Sequence, residues 1–181
     1  MKKKLNVVLS LFVMLICLTA CALNNGPKDA VSKFLNKYKN NDEVVVNELN
    51  DYLKTEDLDE EAQKEYREIY LRQYSNMKYA IKEERIDGDK ATVDVQITVY
   101  DYYKTNKTSG DYFTANQTDF IDEKGDVDLS KYLKYKLSQL LDTTDTVNYT
   151  LTLNLQKNDN KWEIEPLTTE QLTKLHGTYE Y

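Results

Sequence analysis

Few side chains in this 181-residue chain can do covalent or acid–base work. The chain has two Cys, Cys17 and Cys21, and one His, His176. A thiolate can be a nucleophile or a metal ligand, but a single imidazole cannot build a His-rich metal site. His176 stands just before Gly177, at the end of a helical pattern, where a cation interacts well with the helix dipole. That structural role is expected for it rather than general-base work. Asp94, Asp101, Tyr79, Tyr100 and Tyr149 are further side chains with acid–base chemistry. Asp94, however, is out of phase with the apolar residues of its segment and is expected in solvent. Asp122-Glu123-Lys124-Gly125-Asp126-Val127-Asp128 has acids at calcium-like spacing, yet it lacks the Gly at the sixth place and the closing Glu, and Lys124 sits where a ligand oxygen is wanted. A solvated turn is expected there. GxxxxGK[ST], GxGxxG, GxSxG and HExxH do not occur. No catalytic residue, metal ligand or cofactor is assigned.

Composition narrows the partners. With 24 Lys+Arg against 31 Asp+Glu and a formal charge of −7, the chain repels phosphates, so no nucleic-acid partner is expected. Five Gly and two Pro exclude collagen-like and Pro-rich repeats, and 15 Tyr argue against a disordered polyelectrolyte.

The N-terminus carries the most specific signal. Lys2, Lys3 and Lys4 precede an apolar run from Leu5 to about Cys17, the charge-then-apolar order of a secretory leader. The run is shorter than the ~20 residues of a spanning helix. Leu18-Thr19-Ala20-Cys21 then resembles the bacterial lipobox. The resemblance implies a signal peptide over 1–20, a diacylglycerol thioether on Cys21 and a lipidated tether over 21–26. Two acyl chains anchor far better than one. Removing residues 1–20 takes three Lys and no acid, leaving a formal charge of −10. Cys17 leaves with the leader and lipid consumes Cys21, so no disulfide or redox pair is expected. Three Arg against 21 Lys suggest A+T-rich coding. The expected location is the outer face of the cytoplasmic membrane of a Gram-positive bacterium.

The remainder must supply a folded body. Ala30, Val31, Phe34, Leu35 and Tyr38 predict a helix over 27–39. Val45, Leu49, Tyr52 and Leu53 mark a second. Asp57 or Asp59 can cap a third, with Ala62, Tyr66, Ile69, Tyr70 and Gln73 or Tyr74 on one stripe. The period then falls to two: Met77, Tyr79 and Ile81 lead to an Asp87-Gly88-Asp89 turn, and Ala91, Val93, Val95, Ile97 and Val99 alternate with polar residues. Residues 104–111 read as a loop and 112–122 as a strand. A helix is predicted over 128–142, then strands around Val147–Leu155 and Trp162–Ile164, and Thr168-Thr169-Glu170-Gln171 resembles a capping box for a last helix ending near Gly177.

Helices first and strands after is an α+β pattern. The order of elements, the Gly26-Pro27 entry, the Asp87-Gly88-Asp89 turn and the Lys161-Trp162-Glu163-Ile164 strand resemble bacterial lipoproteins with an NTF2-like (cystatin-like) domain. The resemblance implies one domain over 27–181, three N-terminal helices on a curved antiparallel sheet, and the helix near 128–142 as an insertion. The expected function is a membrane-anchored, non-catalytic binding or scaffolding module for an envelope protein, a peptide or a small ligand; a small-ligand carrier or enzyme using an NTF2-like cavity is the alternative. For such an enzyme the resemblance implies proton abstraction by an Asp and a Tyr in an apolar cavity, drawn from Asp94, Asp101, Tyr79, Tyr100 and Tyr149. The phase of Val93, Val95, Ile97, Leu151, Leu153 and Trp162 places any pocket between the helices and the sheet. If side chains such as Tyr70 or Leu133 fill that space, recognition falls to the outer surface or an edge strand.

Overall fold

The computed structural model describes residues 26–181; the leader, the Leu18–Cys21 motif and most of the tether lie outside the described residues. Pro27 opens helix α1 (Pro27–Lys39), where its missing N–H costs no intrahelical bond. Asp42 caps α2 (Glu43–Thr55) by accepting the Val44 N–H. Of the two acids considered for the third helix, Asp59 is the cap: its carboxylate accepts the Ala62 N–H at 2.8 Å at the start of α3 (Glu60–Asn76). Residues one turn apart are buried along each helix, Val31 and Leu35 in α1, then Val45, Leu49 and Leu53 in α2.

Strands β1 (Lys78–Asp87) and β2 (Lys90–Tyr100) form a hairpin around Gly88, whose φ of +58° suits a residue without Cβ. Strands β3 (Thr146–Asn158) and β4 (Lys161–Ile164) form another around Asp159-Asn160. The sheet order is β1-β2-β3-β4, antiparallel throughout. Helix α6 (Thr169–His176) carries the predicted capping box between Thr168 and Gln171 and stops at left-handed Gly177.

The alternation in β2 and β3 sets the layers. Val93 faces Leu153, Val95 faces Leu151 and Ile97 faces Tyr149, all on the face covered by Val31, Leu35, Met77 and Leu175. Each fully buried aliphatic side chain contributes roughly 1.5–3 kcal/mol. The other face presents Thr92, Asp94, Gln96 and Thr98 beside Asn148, Thr150, Thr152 and Asn154. It stays open to solvent.

The middle of the chain departs from expectation. The stretch read as a loop and then a strand is helix α4 (Tyr102–Ala115), followed by a 3-10 turn at Gln117–Phe120. Ile121 makes only an isolated bridge to Val127. Asp101 caps α4 through the Lys104 N–H, and the hydroxyls of Thr105, Thr108 and Thr114 bond back to carbonyls one turn earlier. The polar residues that suggested a loop are thus satisfied inside the helix. Helix α5 (Leu129–Asp142) occupies the predicted 128–142 region and packs against α4 and α3. The described residues therefore form an α+β fold of six helices and one four-stranded antiparallel sheet.

Candidate functional site

The space between helices and sheet is occupied. Val93, Val95, Ile97 and Leu153 have no exposed surface, because side chains from α1, α6 and Met77 interdigitate with them. The expected pocket on the sheet's inner face is closed by packing. The fillers are not Tyr70 and Leu133, which belong to separate clusters around α2, α3 and α5.

An open groove lies at the margin of this core instead. It encloses about 620 Å³ between Ala30, Phe34 and Tyr38 of α1, the run Trp162–Leu167 and Leu172 of α6. Lys33 and Lys37 stand on the α1 wall, and Glu163 and Glu165 on the strand wall. Trp162, which strand phase assigns to the core, is only half-buried here, packed against the core's edge. A second depression of about 380 Å³ shares Tyr38, Glu48 and Leu172 with the first and runs on to Tyr52, Tyr74 and His176. Aromatic and aliphatic walls with a few charges are the usual make-up of a ligand site.

His176 does not act as the cation expected at a helix end. Its Nε2 lies 3.0 Å from the Tyr74 hydroxyl and its ring packs 4.8 Å from that of Tyr70. Part of the residue remains exposed, but protein crowds the ring, and that desolvation pushes its pKa down to about 4. The imidazole is neutral at pH 7, so it offers the helix dipole no charge. Burial also moves the nearby phenols away from neutrality: Tyr38 is pushed up to about 12, and Tyr70 and Tyr74 are raised as well. None of these groups is poised to exchange a proton at physiological pH.

The other acid–base candidates are scattered. Asp94 stands on the outer sheet face, as its phase requires, held by Arg85 at 2.9 Å and Thr152 at 2.6 Å. Asp101 is buried, caps α4 and accepts the Tyr181 hydroxyl. Tyr79 donates to Asn36, and Tyr149 to the Tyr179 carbonyl. The Tyr100 ring carries the Arg72 guanidinium 4.1 Å from its centre. The sheet separates Asp94 from Tyr79 and Tyr149, whereas Tyr149, its pKa raised chiefly by burial, lies near enough to Asp101 for that charge to help push the phenol away from neutrality. In the 122–128 segment, Asp122 accepts the N–H groups of Lys124 and Asp126, while Asp128 caps α5. Those carboxylates shape a turn, as expected. Cys21 lies outside the described residues.

Sequence reasoning missed the groove as a site, although Phe34, Tyr38 and Trp162 were each noted. The available signal was Trp162 on a strand only four residues long and followed by Pro166.

No family model matches the sequence, and no curated protein matches it. Among solved structures, it is similar to a Bacillus subtilis protein, ycdA, described as a lipoprotein. Identity is 16% and the TM-score 0.45, over 76% of this chain and 46% of that one. The chain thus spans under half the length of that structure, and at such similarity neither fold nor role transfers. No helix among the described residues is long and apolar enough to cross a membrane.

Proposed function

We propose that this protein is a lipid-anchored extracytoplasmic domain that works by binding, without turnover, through the groove between α1, β4 and α6. The observation that carries the binding reading is the groove itself, an open site walled by Phe34, Tyr38 and Trp162 and flanked by Lys33, Lys37, Glu163 and Glu165; Tyr38 in it and His176 in the adjoining depression stay neutral near pH 7. The anchor rests on Leu18-Thr19-Ala20-Cys21 behind a basic and apolar leader. The NTF2-like assignment remains part of this proposal and rests on helices leading into an antiparallel meander.

Two arms test it. Cys21→Ser should leave an unacylated precursor in membrane fractions, and an unmodified Cys21 in wild-type protein by mass spectrometry would remove the anchor. A photo-reactive phenylalanine analogue at Phe34 of the anchored protein should give a discrete cross-linked species, while the same analogue at Thr150 on the outer sheet face should not. A purified protein that turned over an envelope substrate and lost that activity on changing His176, Asp94 or Asp101 would replace the binding role with an enzymatic one.

A further inference from the structure

The backbone of β4 sets what the groove can hold. Asp159 and Asn160 have φ of +47° and +63°, the two-residue type I′ geometry in which the flanking residues, Asn158 and Lys161, form a hydrogen-bonded pair. Bonded and non-bonded pairs alternate along an antiparallel ladder. The next bonded pairs are therefore Gln156 with Glu163 and Asn154 with Glu165. The Glu165 N–H indeed donates to the Asn154 carbonyl at 2.9 Å. Trp162 and Ile164 fall between these pairs, opposite Lys157 and Leu155. Their N–H and C=O groups point away from β3, off the edge of the sheet, and no hydrogen bond from the described residues reaches them. Successive side chains of a strand point to opposite faces, so a groove that touches consecutive residues runs along the strand's edge and not over one face. Trp162 through Pro166 line the groove consecutively, so this edge opens into it.

Exposed edges are normally blunted. At the opposite edge, β1 carries a bulge between Ile81 and Glu84. Where β3 runs past β4, Gln171 donates to the Thr152 carbonyl and Lys174 to the Thr150 carbonyl. Among the described residues, strand β4 has no bulge and no side chain hydrogen-bonded to its outward backbone groups; only its shortness, Glu163 and the following Pro166 blunt it.

We infer that the occupant of the groove is an extended peptide segment, alternating apolar and basic residues, that adds to β4 as a fifth strand; this rests on the binding reading above. Trp162 and Ile164 lie on the helix side of the sheet, so every second residue of the added strand meets Phe34, Leu167 and Leu172 and must be apolar. The intervening residues stand beside Glu163 and Glu165 on the outer face, where positive charge is complementary. The formal charge, −7 for the whole sequence and −10 once residues 1–20 are removed, favours a basic segment over a second copy of the same chain.

The test titrates full-length protein in detergent with a synthetic peptide of about eight residues alternating valine and lysine, slightly longer than a typical strand. It follows the fluorescence of Trp162, the only Trp, and amide exchange at Trp162 and Ile164. The expected result is a saturable fluorescence change with slowed exchange at both amides. Binding should weaken about tenfold or more, the loss of one good hydrogen bond, in three cases. These are a peptide with the same residues in two blocks, a peptide N-methylated along one edge, and Ile164→Pro, which removes an N–H that β3 does not use. The N-methylated peptide decides the matter if Ile164→Pro fails to fold. Equal binding of blocked and alternating peptides, with Trp162 still responding, overturns strand addition and leaves the groove reading intact. No response to the alternating peptide overturns this occupant, and the cross-link at Phe34 then decides the groove reading separately. A dimer that Ile164→Pro dissolves would place a second copy on the edge and overturn the peptide.

Discussion

The side chain of Gln73 pairs with Tyr100 as one strand residue pairs with another. Its Oε1 accepts the Tyr100 N–H at 2.8 Å and its Nε2 donates to the Tyr100 carbonyl at 3.0 Å, while the second Nε2 hydrogen reaches the His176 carbonyl at 2.8 Å. Gln73 has no exposed surface, so one amide in the core ties α3 to the ends of β2 and α6. Gln73→Leu fills the same space and strands three backbone groups, each unsatisfied group costing about 1–3 kcal/mol. A loss of about 3 kcal/mol in urea unfolding is expected, and a loss below about 1 kcal/mol would mean that water replaces the amide.

Gly177 completes that junction. Its φ is +73°, and a Cβ there would overlap the Tyr100 carbonyl and the Gln73 amide. Gly177→Ala therefore adds left-handed strain to a backbone clash and should lower stability by more than the ~1 kcal/mol expected for a glycine C-cap with free space. Thermal unfolding measures this. An unchanged midpoint would contradict the packing described around α6.

His176 makes stability depend on pH. Its pKa is lowered on folding from 6.5 to about 4 by burial, so the unfolded chain takes up the proton first. The folded state is fully favoured above pH 6.5 and loses this contribution as pH falls toward 4, by on the order of 2–3 kcal/mol. His176→Gln can keep a hydrogen bond to Tyr74 while removing the titration. Its urea midpoint should change less than that of wild type between pH 6.5 and 4. Parallel slopes for the two proteins would show that other groups govern the acid limb.

How far the sequence anticipated these features follows from where the information lies. The alternation in β2 and β3 was legible because one face is fully buried and the other wet, so each residue's phase declares its side. Helix α4 was not legible, since its inward stripe of Tyr102, Thr105, Asn106, Ser109 and Phe113 has three polar residues where apolar ones would betray a helix. Ser109 is nevertheless buried, and its hydroxyl has no hydrogen-bond partner among the described residues. His176 stands at the helix end as expected, but its charge was misjudged because its surroundings come from Tyr70 and Tyr74, a hundred residues away in the chain. The groove depends on the same long-range assembly: α1 lies far from β4 in sequence, and only folding brings Phe34 and Trp162 to one opening.

Adjacent residues of β2 should respond in opposite ways. Val95 has no exposed surface, and Val95→Asp would bury an unpaired carboxylate against Leu151, costing more than about 4 kcal/mol and leaving the chain unfolded at 25 °C. Asp94 lies on the outer face, where its ion pair with the largely exposed Arg85 is worth about 1 kcal/mol or less. Asp94→Asn should unfold within about 1 kcal/mol of wild type. Circular dichroism and urea titration distinguish the two, and a folded Val95→Asp would refute the assignment of faces.

Hydrogen–deuterium exchange on the anchored protein in its own membranes, set against the purified protein, tests the binding groove most directly. Protection gained in the membranes should concentrate in Ala30–Tyr38 of α1 and in Lys161–Leu172, with the outer-face residues of β2 and β3 unchanged. Protection confined to the outer sheet face or to the α4–α5 end, or none at either groove wall, would contradict a domain that binds through this groove.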